Sequence, residues 1–336
     1  MSDVAKASGH SRSTVDRVLN GRASVRSDTA QQIQAAAQSL GYFAAGVLRE
    51  RVREVRSKCN LGFLLQRPDS PFYVGLAEEL QRATLGNTAI QGKPCVEYVK
   101  SQAPDQVAQH ILDMGEHVDA LAVVVADHPL VSEAIAVLAK RGIPTFALIS
   151  DLSSPQRAGY VGLDNRQLGR TAAWFVTELA HSPGKVAMYV GSPRFQCQEL
   201  SEISFRSYIR EHAPDFTLLE TISTLESEEY GEERTHDLVQ HHPDLCGFYM
   251  GGSGIEGVLR AMRLHKSDHR IVGVGNELTK VTRSGLLSGH FHAILSHPLP
   301  LMCLELVGFM ASSLAAPTDV FRQIIVPIDI TVQQNA

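Results

Sequence analysis

Apolar positions recur at helical spacing in three short segments of the first forty residues. The first segment covers residues 3–8 and stops at Gly9. The second runs from a candidate N-cap at Ser11 to Asn20, and the third covers residues 28–40. The residues predicted to point inward are Val15, Val18 and Leu19 in the second segment and Ile33, Ala36, Ala37 and Leu40 in the third. Because a glycine permits a tight turn between the first two helices, the pattern predicts a helix-turn-helix unit.

Beyond residue 60, short apolar runs alternate with helical patterns. The predicted strands cover residues 61–65, 96–99, 120–125, 145–149, 160–162, 185–190, 247–250, 271–274 and 293–295. The predicted helices include 74–84, 104–114, 130–141, 166–180, 201–212, 231–240 and 255–264. Repeated strand-helix alternation implies parallel doubly wound sheets, which bind ligands beyond the carboxyl ends of their strands. The predicted fold is therefore a small all-α head followed by a two-lobed α/β body.

The expected domain limits follow from these patterns. They are 1–44 for the helix-turn-helix domain, 45–59 for a hinge or linker, and 60–336 for an effector-binding domain. Within that domain we expect lobe 1 at about 60–160 and 291–320, and lobe 2 at about 161–290 and 321–336.

Charge is distributed unevenly along the chain. The whole sequence has a formal net charge of -5, from 31 Lys and Arg against 36 Asp and Glu. Residues 1–58 nevertheless contain ten basic and five acidic residues, so the remaining chain, with 21 basic and 31 acidic residues, is strongly acidic. Since attraction to phosphate depends on where the charges lie, this asymmetry indicates nucleic-acid binding by the head.

Cysteine usage and terminal composition indicate the cellular compartment. The five cysteines are widely spaced and lack a C-x-x-C motif, which disfavours both a disulfide framework and a zinc site. The first residues show no apolar signal-peptide core, and no run approaches the length of a membrane span. We therefore expect a cytoplasmic protein with reduced thiols, no membrane association, no bound metal and no cofactor.

The exposed face of the second predicted helix carries side chains suited to DNA. Arg12 or Arg17 could pair with guanine, Ser13 is an adaptable partner, and Ser11, Thr14 and Asn20 could reach phosphates. The competing interpretation is a small helical cap with a solvated basic face.

The string DVAKASGHSRSTVDRVLNGRASVRSDTAQQIQAAAQSLGY resembles the DNA-binding domain of the LacI family of regulators over its whole length. The resemblance implies that Arg12, Ser13 and Arg17 read bases. It also implies that residues around them position the DNA backbone, namely Ser11, Thr14, Asn20, Val25 and Thr29.

At the hinge, Arg51 stands where the family has a leucine that wedges into the minor groove, with Leu48 one turn earlier. Arg49 and Arg51 are therefore candidates for contacts with phosphates or a narrow groove.

Polar and aromatic residues follow several predicted strands of the body. Phe72 and Tyr73 could stack on the apolar face of a sugar. The side chains expected to bind hydroxyl groups, or to reach the cleft from a loop, are those of Asp127, Ser150, Asp151, Asn276, Glu277 and Arg157.

Motifs such as YVGLDNRQLGRTAA and HPDLCGFYMGGSGIEGVLRA resemble the sugar-binding domain shared by LacI-type regulators and ribose-type periplasmic binding proteins. That resemblance places Phe72, Ser253, Glu277 and His297 at effector-contact positions. Residues 201–205 lack the arginine that many relatives use to clamp the effector, so Arg194 or Arg206 is the candidate replacement.

Together with these patterns, the family resemblance implies a non-enzymatic regulator that binds operator DNA and a sugar or polyol effector, as a homodimer or tetramer. Two alternatives remain open. One is a solute-binding protein without a regulatory role. The other is an NAD(P)-dependent enzyme, since residues 252–257 read G-x-G-x-x-G between a predicted strand and a predicted helix.

Overall fold

The computed structural model describes residues 1–20, 25–40, 56–265, 269–316 and 321–336. The hinge residues Arg49 and Arg51 lie outside these ranges, as do the side chains of Leu19 and Asn20.

The head consists of three helices, α1 (Ser2–Ser8), α2 (Arg12–Asn20) and α3 (Ser27–Ser39). Gly9 ends α1 in the left-handed conformation at φ 66°, which a residue without a Cβ adopts without strain. The Ser11 hydroxyl accepts a hydrogen bond from the Thr14 amide at 3.1 Å and so caps the start of α2. The predicted sequence of helix, glycine turn and helix is confirmed.

The core of the head is small and built largely from alanine and valine. Its buried residues are Val4, Ala5, Val15, Val18, Ala30, Ile33, Ala36 and Ala37, with Val25 packed against them. Leu40, which the sequence pattern placed inward, is instead 49% exposed. It lies one residue past the end of α3, where the helical periodicity no longer directs its side chain to the core.

Within the described ranges the body contains thirteen strands and nine α-helices, which alternate along most of the chain, and its last two strands are short. Its strands are β1 (Lys58–Leu65), β2 (Gln91–Tyr98), β3 (Ala120–Val123), β4 (Thr145–Leu148), β5 (Gly159–Gly162), β6 (Lys185–Val190), β7 (Thr217–Leu218), β8 (Ile222–Ser223), β9 (Leu245–Met250), β10 (Val272–Asn276), β11 (Ala293–Ser296), β12 (Arg322–Ile325) and β13 (Asp329–Thr331). Its helices are α4 (Pro71–Gly86), α5 (Pro104–Met114), α6 (Pro129–Lys140), α7 (Asn165–Leu179), α8 (Gln196–His212), α9 (Glu228–His241), α10 (Ile255–Leu264), α11 (Lys280–Leu287) and α12 (Leu299–Ala315).

The strands form two sheets with the same core topology. The first has the order β12-β5-β4-β3-β1-β2 and is parallel throughout. The second has the order β13-β11-β10-β9-β6-β7, with β8 also paired to β6, and only its β11–β13 pair is antiparallel. This arrangement confirms the predicted class of parallel, doubly wound α/β sheets. The strand order reverses between β1 and β3 in the first sheet and between β6 and β9 in the second, where such folds bind ligands.

Sheet membership differs from the predicted lobe limits near the carboxyl terminus. β11 belongs to the second sheet although its residues were assigned to lobe 1, and β12 belongs to the first sheet although its residues were assigned to lobe 2. The chain passes between the sheets after β5, after β11 and again between β12 and β13. The last two strands have four and three residues, too few to show an alternating pattern in the sequence.

Three apolar clusters stabilise the body. One joins residues of both sheets, including Phe63, Phe146 and Tyr249. The other two cover the opposite faces, around Ile135 on the first sheet and Phe248 on the second. Helices thus cover both faces of each sheet, as parallel strands require.

None of the helices in the described ranges combines the length and apolarity needed to cross a bilayer. All five cysteines have free thiols. In the same part of the chain, no three His, Cys, Asp or Glu side chains are grouped as metal ligands.

Candidate functional site

The exposed face of α2 carries the proposed base-reading side chains. Arg12, Ser13 and Arg17 are all exposed, whereas Val15 and Val18 on the opposite face are buried. Arg12 and Ser13 begin the helix, and Arg17 follows Ser13 by one turn, so the three share one side of α2. A convex helix face with two guanidinium groups has the shape and charge that fit a major groove.

Hydroxyl groups cluster at the start of the same helix. The Ser11 hydroxyl lies 2.9 Å from that of Ser13 and 2.8 Å from that of Thr14. Val25 and Thr29 are partly buried beside the head core. These residues are placed where they can hold α2 in position. The exposed side chains and the amino-terminal amides of α2 can then reach phosphates.

The body has a cleft where the carboxyl ends of the two sheets face each other. Its volume is about 730 Å³, which is within the usual range for small-molecule sites. Residues 66 and 67 after β1 and residue 126 after β3 line one wall; residues 192–194 after β6 and 251–254 after β9 line the other. The cleft therefore lies at the reversal points of both sheets.

Most residues predicted to bind an effector line this cleft. They are Phe72, Tyr73, Ser150, Ser253, Asn276, Glu277 and His297. Phe72 and Tyr73 form an edge-to-face pair with ring centroids 5.1 Å apart. Burial raises the pKa of the Tyr73 hydroxyl and the nearby carboxylates of Glu226 and Glu277 raise it further, so Tyr73 stays a protonated donor.

Glu277 and His297 form a pair within the cleft. The Nδ1 atom of His297 lies 2.7 Å from the Oε1 atom of Glu277, and the His297 amide donates to Oε2 at 3.2 Å. Since a carboxylate accepts hydrogen bonds, Nδ1 donates its hydrogen in this contact, which leaves Nε2 as the other polar atom of the ring. That Nε2 atom is buried and has no hydrogen-bond partner in the part of the chain that the structure describes. A ligand hydroxyl is the natural partner for such an atom, because an unsatisfied buried polar group is costly.

Three predicted effector residues do not line the cleft. Asp151 and Arg157 form a two-point ion pair at 2.7 and 3.1 Å, and the Arg157 guanidinium also stacks 4.0 Å from the centre of the Phe321 ring. Asp127 accepts from the amide and the hydroxyl of Ser153. These side chains are bonded to other protein groups, so the structure does not bring them into the cleft, and their assignment to the effector site stays a prediction.

Asp127 instead helps to join the two walls of the cleft. Its amide donates to the Arg194 carbonyl at 3.2 Å, and the Cys197 amide donates to the Ser150 hydroxyl at 3.3 Å. At the other end of the cleft, Arg67 Nη1 donates to the Glu226 carbonyl at 3.0 Å. These bonds connect residues that follow strands of different sheets, so opening the cleft would break them.

Left-handed backbone conformations are concentrated in the cleft. The non-glycine residues with positive φ in the described ranges are Arg67, Ile149, Leu225, Glu226 and Glu277, and all of them line the cavity. Such conformations cost about 1–3 kcal/mol each and persist where the surrounding structure enforces them. Their concentration marks the cleft as the functional region of the body.

Several cleft residues were not predicted from the sequence. Gln66, Asn165, Gln198 and Glu226 all line the cavity. Glu226 follows the two-residue strand β8, which is too short to show a pattern, so its position at a strand end was not apparent. Gln66 follows β1 immediately, so the end of that apolar run was a signal present in the sequence.

Arg194 lines the cleft and Arg206 does not. The Arg206 guanidinium binds Glu202 and Thr221 on the outer side of α8. Of the two candidates for the missing effector clamp, only Arg194 is close enough to take that role.

The glycine-rich loop at residues 252–257 has a packing role. Gly254 adopts φ 93°, and a Cβ on Gly257 would overlap the backbone of Glu228, so the loop and α9 approach closely. The Gly257 amide, at the start of α10, donates to Glu228 Oε2 at 2.8 Å. A carboxylate thus occupies the place where a dinucleotide pyrophosphate would bind, which argues against the NAD(P) alternative.

Comparison with known proteins places these two regions in known families. Residues 61–303 match the periplasmic binding protein domain, and residues 1–44 match the bacterial regulatory proteins of the lacI family. The fold resembles a solute-binding protein of an ABC transporter from Agrobacterium vitis with bound D-fucose (TM-score 0.74, 16% identity, 82% of this chain and 96% of that one). It also resembles GanP, a glucose-galactose binding protein from Geobacillus stearothermophilus (TM-score 0.73, 18% identity, 83% and 99%).

Sequence relatives include the HTH-type transcriptional regulator MalR of Streptomyces coelicolor, which is 28% identical over 204 residues. The alignment covers 58% of this chain and 54% of MalR, so the match spans just over half the length of that relative. An uncharacterized HTH-type regulator of Streptomyces limosus is 27% identical over 196 residues, 58% of this chain and 53% of the relative. The fold and the cleft define a two-lobed binding protein of the periplasmic type. The chain belongs to the periplasmic-binding-protein domain family and carries the helical head of the lacI family of bacterial regulatory proteins.

Proposed function

We propose that the chain is a DNA-binding transcriptional regulator whose operator affinity is controlled by a small molecule in the cleft. The observation that carries this proposal is the exposure of Arg12, Ser13 and Arg17 on one side of α2, in a chain that also contains an enclosed ligand cleft. Related proteins are named as HTH-type transcriptional regulators, which supports the same function. A regulator of this kind works in the cytoplasm, where bacterial DNA lies.

The proposed partners are operator DNA, a sugar or polyol, and a second copy of the chain. One helix-turn-helix makes few base contacts, and a twofold operator requires two heads, so we propose a homodimer or a tetramer. Solved relatives carry bound D-fucose or are named as sugar-binding proteins, which supports a sugar-like effector. Sedimentation equilibrium would measure the oligomeric state.

Closure of the cleft supplies a physical route from effector to DNA. The bonds from Arg67 to Glu226 and from Asp127 to Arg194 form only when the two walls are close. A ligand that contacts both walls favours this closed arrangement by its differential affinity for it. The change in lobe angle would then alter the spacing of the two heads in a dimer. Either induction or corepression is compatible with this scheme.

The function is tested by selection of binding sites followed by affinity measurement. Random duplexes of about 30 base pairs are enriched on the purified protein, and affinity for the selected site is measured by fluorescence anisotropy at low salt. We expect a twofold symmetric site, and a loss of about tenfold to a hundredfold for Arg12→Ala or Arg17→Ala, because each guanidinium would lose a base contact. The control is Arg141→Ala, an exposed arginine of the body.

A lack of enrichment, or variants that bind as tightly as the unchanged protein, would refute the regulator. The second candidate is a solute-binding protein without a regulatory role, favoured by the likeness of the body to transporter binding proteins. That candidate predicts sugar binding with no sequence-selective DNA affinity, so the same experiment separates the two.

A further inference from the structure

The loop between β8 and α9 holds Glu226 in the cleft. Thr224 is fully buried, and its hydroxyl lies 2.6 Å from the carbonyl oxygen of Ser253. Ser227 caps α9 by accepting from the Tyr230 amide at 3.2 Å. Between these two fixed points, Leu225 and Glu226 adopt φ values of 52° and 60°. The consecutive left-handed residues turn the Glu226 side chain inward, while Leu225 remains 67% exposed at the rim.

The Glu226 carboxylate lies against the end of β6. A Cβ on Gly191 would overlap this carboxylate, so the glycine leaves the space that it occupies. Gln198 accepts from the amides of Gly191 and Ser192 at 2.6 and 3.0 Å, which directs its Nε2 atom toward Glu226 Oε1, 3.5 Å away. The position of the carboxylate is therefore set by its surroundings rather than by free rotation.

No ion pair within the described ranges involves Glu226. The Arg67 guanidinium does bind Glu226, but through the main-chain carbonyl of Glu226 and not through its carboxylate. Its other hydrogen bond goes to Asp69. Among the described residues, no cationic side chain is therefore paired directly with this carboxylate, which lines the cavity. A buried or half-buried carboxylate of this kind favours ligands that donate hydrogen bonds or carry positive charge.

The rest of the cleft has the same bias. Its lining contains five carboxylates, those of Asp69, Glu226, Glu228, Glu256 and Glu277, against the two guanidinium groups of Arg67 and Arg194. The negative charges of Glu226 and Glu277 both raise the pKa of the Tyr73 hydroxyl and of the Cys197 thiol, in addition to the larger effect of burial. Their negative fields therefore overlap in the deep part of the cavity. The buried Nε2 atom of His297, which has no hydrogen-bond partner among the described residues, adds a further polar group there.

We propose that Glu226 is a specificity-determining residue, and that the cleft selects polyhydroxylated ligands that are uncharged or carry an ammonium group while it rejects their anionic counterparts. This inference rests on the effector part of the proposed function. A phosphate or carboxylate group in the deep cleft would face the carboxylates of Glu226 and Glu277, and like charges at low dielectric repel strongly. Hydroxyl and ammonium groups would instead satisfy acceptors that the protein leaves open.

The test uses matched charge series on the full chain. Glucose, galactose and mannose are each offered as the neutral hexose, the 2-amino sugar and the 6-phosphate, and binding is measured by thermal shift and by titration calorimetry. We expect at least one hexose scaffold to bind in its neutral or amino form, and its 6-phosphate to bind about tenfold to a hundredfold more weakly. Glu226→Gln should lose about tenfold in affinity for the neutral sugar and should reduce the discrimination against the phosphate.

The matched control is Glu220→Gln, which removes the same charge from a fully exposed side chain nearby. It should bind like the unchanged protein. The melting temperature without ligand shows whether Glu226→Gln is folded, and the charge series on the unchanged protein tests the selectivity without any variant. Equal or tighter binding of a 6-phosphate, unchanged discrimination in Glu226→Gln, or no response to any member of the series would overturn the proposal. DNA affinity is measured on the same preparation without sugar, so failure of the regulator and failure of this charge selection are read separately.

Discussion

The head and the body present their candidate binding groups in opposite ways. In the head, Arg12, Ser13 and Arg17 lie within two turns of one exposed helix. In the body, residues as distant in sequence as Tyr73 and Glu277 meet in a concave cleft, and several of them have strained backbones. The head therefore needs only a correctly folded helix, whereas the cleft needs many loops to be held in place by a large core.

The two cores differ in the same direction. The described part of the head buries eight apolar residues, of which Ile33 is the largest, while the interior of the body includes fully buried Phe63, Phe146 and Tyr249. Small domains bury a smaller fraction of their surface and are less stable. We infer that the head is the less stable region and that it can unfold while the cleft stays intact.

The largest effect is expected from truncation in the head core. Ile33→Ala should destabilise the head by about 3 kcal/mol, since it removes a fully buried side chain whose neighbours are too small to fill the gap. Hydrogen exchange measured by mass spectrometry should show lost protection in α1–α3 and unchanged protection in the strands of the body. The control Ile135→Ala, which is buried in α6, should reverse this pattern. Loss of protection in both regions with either variant would show that head and body unfold together.

Acidification should change the stability of the body and of the head to different extents, with a smaller effect than the Ile33→Ala substitution. Burial and the neighbouring charge of Arg270 lower the pKa of His292 in the body to about 4. Because the unfolded chain binds a proton at about pH 6.5, the contribution of His292 to stability is complete above that pH and is lost as the pH falls toward 4. We expect a loss of about 1–3 kcal/mol in the stability of the body across this window.

Denaturant titrations of the body at pH 7 and pH 5 check this expectation. His292→Gln removes the titrating group and should flatten the dependence on pH, while protection of α1–α3 should follow the same course in both proteins. An equal slope for His292→Gln and the unchanged protein would contradict the role given to His292.

The smallest effect tests whether the cleft stores backbone strain. Leu225→Gly should stabilise the body by about 1 kcal/mol, because glycine adopts positive φ freely and the leucine side chain is mostly exposed. Leu304→Gly is the matched control, since Leu304 is also exposed but lies inside α12, where glycine should cost about 1 kcal/mol. Chemical denaturation gives both values. Destabilisation by both changes would mean that Leu225 is not strained.

The sequence predicted the head more closely than the cleft for a physical reason. Each head helix is defined by residues within one short segment, such as Gly9 and the Ser11 cap, and these local signals were sufficient. Among the described residues predicted to point inward, Leu40 does not, since a pattern cannot show where a helix ends within one residue. The cleft depends instead on which way loop side chains turn after leaving a strand.

Individual cleft residues illustrate this limit. Glu277 lies in the cleft because it follows a strand with a clear apolar pattern, and His297 lies there as the family resemblance implied. Asp151 also follows such a strand, but Arg157 draws its carboxylate away from the cavity. Glu226 was missed because β8 has only two residues. A strand end can be predicted from sequence, whereas the local partner that competes for its side chain cannot.

The positions of β12 and β13 have a consequence for synthesis of the chain. β12 completes an edge of the first sheet by pairing with β5, which is translated much earlier. At ribosomal rates of about 5–20 residues per second, β5 waits on the order of ten seconds or more for this partner. The second sheet likewise receives β13 only afterwards. A ribosome that stalled near residue 316 would therefore release a chain with an open edge on each sheet, and such edges invite aggregation and proteolysis.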